Sequence, residues 1–353
     1  MLNRCARLAA KILIVASLML GATPAMAQKT DVITLVNGDR LTCEIKELER
    51  GLLRVKTDSA GTLYVEWLDI VAVRSDKQFA IETASGILAF GSLQTTADGA
   101  ELEVTADGRS VRLKQQAVVS IDPVKDDFWD RMDGSIGFGF SFKKANTDIQ
   151  LNFAASSTYR SRVHTYALNL SALVSSQNSE PATERYVGSV SHQGYLGSNW
   201  TSLSLAEFEQ NTELDLQLRA LLQGGGAYRF INTNRTILVT ATGLALNNEN
   251  YFSTDKDSRT SLELFAAVGY EFFKFNTPKA DVSINFTVFP SLTESGRVRT
   301  SLNGKIRWEI IADLNWAITV YSSTDNQPPE TDDGDSSASG TDYGVITSLE
   351  WTY

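Results

Sequence analysis

The segment SIGFGFSFK, residues 135–143, alternates strictly between small or polar residues and large apolar ones. Successive side chains of a β-strand point to opposite faces, so Ile136 and Phe138 would share one face. The same period of two recurs further along the chain, for example over Asp281–Val288 and Ser301–Ile310. A period of two indicates strands rather than helices. The sequence therefore predicts an all-β chain whose C-terminal strands each have one apolar and one polar face.

Many of these alternating segments are longer than ordinary strands. They extend for ten residues or more, whereas strands in soluble proteins average about 5–6 residues and a tilted strand needs about 9–11 to cross a bilayer. Long and short connections alternate, as in outer-membrane barrels. We therefore predict a transmembrane antiparallel β-barrel over residues 134–353, with an even strand number that leaves both ends in the periplasm. The predicted strands, about twelve, are roughly 134–144, 146–160, 162–176, 184–197, 199–210, 213–230, 234–248, 258–275, 280–291, 298–311, 313–325 and 340–353.

Both ends of the chain carry export features. Residues 1–27 combine early cations, the apolar run Ile12–Leu20 and a final Ala25-Met26-Ala27, the pattern of a cleaved signal peptide. At the other end, an assembly signal is predicted from the shared face of Leu349, Trp351 and Tyr353. The expected partners are therefore outer-membrane lipid and, during biogenesis, the barrel-assembly machinery and periplasmic chaperones.

Residues 28–125 contain an internal repeat and predict a separate periplasmic domain. Copies at about 31–76 and 79–124 are offset by 48 residues, so that Gly38 matches Gly86 and Gly51 matches Gly99. Each copy contains five short alternating segments with hairpin dipeptides such as Asn37-Gly38. We expect a tandem pair of small SH3-like or Sm-like barrels, joined to the membrane barrel by a linker at 126–133. This domain could also bind a periplasmic partner, which the sequence does not identify.

The composition argues against nucleic-acid binding and against enzymatic chemistry. The net charge is −10, whereas phosphate binding needs clustered cations. After signal cleavage only Cys43 remains, and it is expected to be a buried, inert thiol. The two histidines, His164 and His192, lack the Ser two residues away that outer-membrane phospholipases use, so we interpret them as interfacial. The sequence predicts no enzyme, no catalytic residue, no cofactor and no metal site.

Two further segments have a structural and a functional interpretation. Gly224-Gly225-Gly226 lies in a strand pattern with no helix after it, so it is not a phosphate cradle. It marks instead a bend or a place where a bulky neighbour packs. The acidic stretch Asp325–Asp335 offers oxygen ligands for calcium without the spacing of a calcium loop. A solvated outer loop is the interpretation that its composition favours.

Charged side chains on the polar faces are expected to point into the lumen. They form either a salt-bridged plug that stiffens the barrel or the lining of a narrow pore. A twelve-stranded barrel lies between small filled barrels and open porins, which favours a filled or narrow lumen. The candidate luminal charges are Lys143, Asp148, Asp215, Arg219, Glu263, Glu271, Asp281, Lys305, Arg307 and Glu309.

Three segments carry a family resemblance: 214–236 (LDLQLRALLQGGGAYRFINTNRT), 316–329 (WAITVYSSTDNQPP) and 342–353 (DYGVITSLEWTY). Over residues 134–353 the chain resembles the domain-of-unknown-function 481 family, described as salt-induced outer-membrane proteins. NGDRLT at 37–42 is similar to Sm-like segments that precede such barrels. The resemblance implies an outer-membrane location and offers no catalytic residues. Two functions follow as hypotheses: a narrow pore for small solutes or ions in envelope or salt stress, and a non-conducting anchor whose periplasmic domain binds a protein or the cell wall.

Overall fold

The computed structural model of the chain is all-β. No helix among the residues that it describes is long and apolar enough to cross a membrane. The predicted signal peptide, Asp215, the acidic stretch after Gln327 and Tyr353 lie outside the described residues. The described residues are 29–124, 127–129, 131–143, 148–176, 182–212, 216–253, 258–311, 314–327 and 341–351.

The N-terminal region is a nine-stranded sheet whose two halves repeat the same elements. Short 3₁₀ helices at Trp67–Asp69 and Gln115–Ala117 are offset by 48 residues, as the repeat predicts. Gly51 and Gly99 both have positive φ, +74° and +72°, in turns that favour glycine. The strands are β1 (Asp31–Leu35), β2 (Arg40–Glu49), β3 (Leu52–Lys56), β4 (Thr62–Glu66), β5 (Ile70–Thr83), β6 (Leu88–Thr95), β7 (Glu101–Ala106), β8 (Arg109–Lys114) and β9 (Val118–Pro123).

The two halves are more closely joined than a tandem pair of barrels. The sequence predicts one strand that closes the first copy and another that opens the second, but both lie in the single 14-residue strand β5. β5 pairs with β1 of the first half and with β6 and β9 of the second. The equivalent residues Trp67 and Gln115 also meet, since Trp67 Nε1 donates to the Gln115 carbonyl oxygen at 2.8 Å. One hydrophobic core therefore runs through both halves.

Asp31 and Cys43 are the chemically distinctive groups of this core. The Asp31 carboxylate is fully buried and accepts hydrogen bonds from the Ile45 backbone N–H at 2.8 Å and the Ser75 hydroxyl at 2.7 Å. Such partners are what make a buried carboxylate tolerable. Cys43 is also fully buried, and burial raises the pKa of its thiol to about 11, with the nearby Asp31 charge adding to the shift. The expectation of a buried thiol is confirmed.

The C-terminal region is one antiparallel sheet of twelve strands, the number that the sequence predicts. Each strand pairs with the next along the chain, and the pairings of the described residues run in that order from the first strand to the last. The strands are β10 (Met132–Lys143), β11 (Asp148–Arg160), β12 (His164–Ser176), β13 (Thr183–Gly197), β14 (Trp200–Asn211), β15 (Leu216–Asn232), β16 (Thr236–Tyr251), β17 (Arg259–Lys274), β18 (Ala280–Pro290), β19 (Val298–Ile311), β20 (Leu314–Asp325) and β21 (Thr341–Trp351).

The twelve-stranded sheet is curled, with its apolar face outward. Side chains from β11 to β18 line one common cavity, so these strands enclose an interior. On the opposite face Ile136 is 71% exposed and Phe138 67%, although both are large and apolar. A sheet with polar residues inside and apolar residues outside is the architecture of a β-barrel that faces lipid.

Glycines in the middle of the barrel make room for an aromatic ring. Gly225 and Gly243 are cross-strand neighbours on the luminal face of β15 and β16. A Cβ atom on Gly225 would lie 2.9 Å from the Phe265 ring, and one on Gly243 would lie 2.7 Å from it. The prediction that the glycine triplet marks a place where a bulky neighbour packs is confirmed for Gly225. Gly224 faces outward, with open space at its Cβ position.

We expect Gly243→Ala to destabilise the barrel and Gly224→Ala to be tolerated. A methyl group on Gly243 collides with backbone and with Phe265, which cannot retreat because Phe265 is itself buried. The measurement is the fraction of protein that shows a heat-dependent shift in gel mobility. Equal fractions for the two variants would contradict this packing.

We also expect Cys43 to resist alkylation in the folded protein. The thiolate is the reactive form, and a pKa near 11 instead of 9.0 lowers its fraction at neutral pH by about a hundredfold. Burial slows the reaction further. Maleimide labelling followed by mass measurement should be slow in the folded protein, should accelerate as the pH rises towards 11, and should be rapid in urea.

Candidate functional site

The N-terminal domain sits on one end of the barrel, here called the proximal end. This end carries the short turns at 161–163, 198–199, 233–235 and 275–279. Asn234 donates to the Val118 carbonyl oxygen at 2.8 Å, and Asn199 donates to that of Ala84 at 3.4 Å. The Tyr195 hydroxyl donates to the carbonyl oxygen of Gly86. Turns of the barrel and turns of the N-terminal domain therefore meet through backbone carbonyl groups.

Ion pairs reinforce this contact, and one of them joins Arg229 to Glu82 through two hydrogen bonds. The guanidinium of Arg229, on the luminal face of β15, donates to both carboxylate oxygens of Glu82 at 2.6 and 3.2 Å. Bidentate pairs of this kind fix orientation as well as adding energy. Burial raises the pKa of Glu82, and the Arg229 charge opposes that shift. Burial also raises the pKa of Asp122, which lines the same part of the lumen.

Arg50 makes the second ionic contact from an unusual backbone position. It has a positive φ of +50°, which is uncommon outside glycine, at the turn between β2 and β3. Its guanidinium pairs with Glu271 at 2.9 Å and Asp281 at 3.0 Å, and it stacks over the Phe273 ring at 4.8 Å. The next residue, Gly51, lies against Asn234 of the barrel, and a Cβ atom on Gly51 would collide with the Asn234 backbone. A strained turn placed at an interface points to a role in that interface.

A cavity of about 520 Å³ lies in the lumen where the N-terminal domain meets the barrel. The domain contributes Glu82 and Asp122 to its wall, and the barrel contributes Arg160, Arg229 and uncharged polar groups such as Asn285. Both signs of charge are present. The arrangement covers the proximal end of the lumen above a small chamber with both charged and apolar walls.

The other end of the lumen, here called the distal end, is bordered by an arc of alternating charges. Arg219 pairs with Glu209 at 3.2 Å and with Glu249 at 3.0 Å, so neighbouring strands carry opposite signs. Glu209 and Glu263 are nearly inaccessible to solvent, which makes their arginine partners essential. The pairs of this distal arc are Arg185–Glu209, Glu209–Arg219, Arg219–Glu249, Arg259–Glu294, Glu294–Arg297, Arg297–Asp325 and Arg299–Glu263.

The structure divides the predicted luminal charges between the two ends. Arg219 and Glu263 belong to the distal arc, while Glu271 and Asp281 hold Arg50 at the proximal end. Glu309 is buried at the proximal end and accepts the Lys279 backbone N–H at 2.9 Å. On the luminal face of β19, Arg307 pairs with Asp281 and therefore lies at the proximal end, and Lys305 pairs with Ser283 two residues further from that end. Lys143 and Asp148 are cross-strand neighbours at the ends of β10 and β11; their side chains and the whole of Asp215 lie outside the described residues.

Several residues of both ends were not predicted from the sequence. Arg229 shares the luminal face of β15 with Arg219, so its even spacing from Arg219 could have identified it. Nothing in the sequence singles out Arg50 or Glu82 as interface residues, because their partners are more than a hundred residues away. Of the predicted assembly signal, Leu349 and Trp351 are exposed on one face of β21, and Tyr353 lies outside the described residues.

The fold places the chain in the class of β-barrel proteins that carry a separate β domain at one end. A family model described as "Protein of unknown function, DUF481" matches residues 136–341. The chain belongs to this family, as its resemblance predicts. No curated protein and no solved structure matches the chain. The match does not reach the N-terminal domain, so the likeness of that domain to Sm-like segments stays a prediction.

We expect Arg229→Glu to loosen the N-terminal domain from the barrel. Loss of a bidentate charged hydrogen bond should cost about 1.5–3 kcal/mol, and the reversal adds repulsion from Glu82. Hydrogen exchange at residues 84–86 and 116–118 should accelerate. Adding Glu82→Arg should restore protection, whereas Arg112→Glu, which alters an exposed pair within the domain, should have no effect on these amides. Unchanged exchange in Arg229→Glu would show that the pair does not hold the domain.

Proposed function

We propose that this protein is an outer-membrane β-barrel that passes small solutes and that its N-terminal domain keeps the proximal mouth closed at rest. The observation that carries the proposal is the docking of the domain by Arg229–Glu82 and by Arg50 with Glu271 and Asp281. The chamber beneath the docked domain is the space that a solute would enter when the mouth opens. The link to salt or envelope stress comes from the family resemblance and is part of the proposal.

Placement in the outer membrane is supported by the outward face and by strand length. The barrel strands contain 11 to 17 residues, enough for a tilted crossing. Aromatic pairs such as Trp200–Tyr228 and Trp308–Trp316 lie outward near the proximal turns, as in an interfacial girdle. In this placement the N-terminal domain is periplasmic, and Leu349 and Trp351 are the groups that the assembly machinery would recognise.

The chemistry of the chamber favours small polar solutes over ions of one sign. Its charged groups are of both signs, with Glu82 and Asp122 near Arg160, Arg162 and Arg229. The luminal wall of β10 to β13 carries small residues such as Gly137, Ala154 and Ser171, which leave space beside the charged strands. Selectivity by net charge would require charges that are mainly of one sign.

A non-conducting anchor is the second candidate, and the distal arc favours it. Paired charges around the wall can stiffen a barrel without lining a pore. Glu209, for example, bridges Arg185 and Arg219, as a residue of a structural network would. In this function the N-terminal domain would bind a periplasmic protein or the cell wall.

Single-channel recording in planar bilayers should separate the two functions. We expect the wild-type protein to be mostly closed, and Arg50→Glu combined with Arg229→Glu to conduct in long openings, because both docking contacts are reversed. Glu82→Arg added to this double variant should shorten the openings, because it restores an ion pair at the contact between positions 82 and 229. Silence of every variant at all voltages and salt concentrations, with the barrel inserted, would remove the pore and leave the anchor.

A further inference from the structure

The two histidines meet on the outward face of the barrel, together with a serine from a third strand. Nδ1 of His164, the first residue of β12, lies 3.0 Å from Nε2 of His192 on β13. Nδ1 of His192 lies 3.5 Å from the hydroxyl oxygen of Ser204 on β14. The interpretation of these histidines as interfacial did not include this contact, because Ser204 is the cross-strand neighbour of His192 and stands twelve positions away in sequence.

The three groups have the order of a nucleophile, a base and a residue that positions the base. Two proton arrangements satisfy both contacts. In one of them His192 carries its proton on Nε2 and donates to His164, which leaves Nδ1 of His192 free to accept the proton of Ser204. The contact of 3.5 Å is within the looser range that such pairs show before substrate binds.

Neighbouring residues hold this cluster in place. The Tyr166 ring packs on the His192 ring with centroids 4.7 Å apart. Gly194 lies between the two histidines, where a Cβ atom would be 3.2 Å from each ring and 2.6 Å from the Ser202 hydroxyl. Any larger residue at 194 would therefore displace the rings. Ser202 brings a second hydroxyl to the same spot.

The cluster faces the place where a membrane lipid would lie. Ser204 and His164 are exposed on the apolar outer face, and His164 follows directly after the proximal turn 161–163. Arg162 in that turn stacks over Phe90 of the N-terminal domain, so the cluster is at the level of the domain-side interface. Ester groups of phospholipids occupy the corresponding depth of a bilayer leaflet.

We propose that Ser204, His192 and His164 form a phospholipid acyl-hydrolase site on the outer face of the barrel. The inference rests on the proposed membrane location and is independent of conduction. Ser204 Oγ attacks the ester carbonyl carbon, and its proton passes to Nδ1 of His192 and then to the departing glycerol oxygen as the ester bond breaks. Water, deprotonated by the same nitrogen, then attacks the acyl carbon; the bond to Ser204 Oγ breaks, and this oxygen takes the proton back from His192. The products are one fatty acid and one lysophospholipid, with Ser202 as the hydroxyl donor to the oxyanion.

The experiment uses the full-length protein in vesicles of phosphatidylethanolamine and phosphatidylglycerol. Fatty-acid release is measured by mass spectrometry, and a fluorophosphonate probe is used to modify the reactive serine. We expect release from the wild type and a probe adduct on Ser204. Ser204→Ala and His192→Ala should each lower the rate by about 10²–10⁴-fold. Ser157→Ala should leave the rate unchanged, because Ser157 is an outward serine on β11 that pairs with Leu168 and lies two strands away from His192.

The positioning role of His164 has its own comparison. His164→Gln keeps an acceptor for the Nε2 proton of His192 and should retain more activity than His164→Ala, with similar substrate affinity for both. A purely structural role would affect both variants alike.

Flotation of the vesicles and the heat-dependent gel shift report membrane insertion separately. Failure to insert would overturn the proposed location, whereas insertion without fatty-acid release or without an adduct on Ser204 would overturn the hydrolase site alone. Full activity of Ser204→Ala would also overturn it.

Discussion

The antiparallel pairing of each barrel strand with the next is the constraint on which the rest of the structure depends. Side chains alternate between faces along every strand, so a slip of one residue would move the whole apolar set into the lumen. The observed register places Gly225 opposite Gly243 beneath the Phe265 ring and Glu209 opposite Arg219. Packing, charge pairing and outward apolarity are therefore satisfied by one register.

Among the described residues, the ion pairs of the lumen are concentrated at its two ends. The distal arc pairs arginines with carboxylates between strands of the barrel itself, whereas the proximal end uses charges to hold a second domain. The domain docks unequally through its two repeats. Gly51 and Gly86 contact the barrel, but their repeat equivalents Gly99 and Gly38 do not. The two repeats therefore contribute different turns to the one surface that contacts the barrel.

The sequence predicts the barrel more completely than the N-terminal domain for a physical reason. In the barrel, each long segment with a period of two has one apolar and one polar face. The number of strands and the outward position of residues such as Phe138 therefore follow from the local pattern. The N-terminal strands are short, and the pattern did not show that residues 70–83 continue as the single strand β5. That continuity depends on pairing with β1, β6 and β9, which are distant in sequence.

The sequence by itself determined the all-β class, the twelve strands, the repeat and the family, because each of these depends on local periodicity or on short motifs. Only the tertiary structure decided that Glu82 binds Arg229 and that His192 meets Ser204. Both contacts arise from register and domain docking, which bring together residues that no local pattern relates. The proposed function of the lumen and the proposed chemistry of the outer face rest on those contacts.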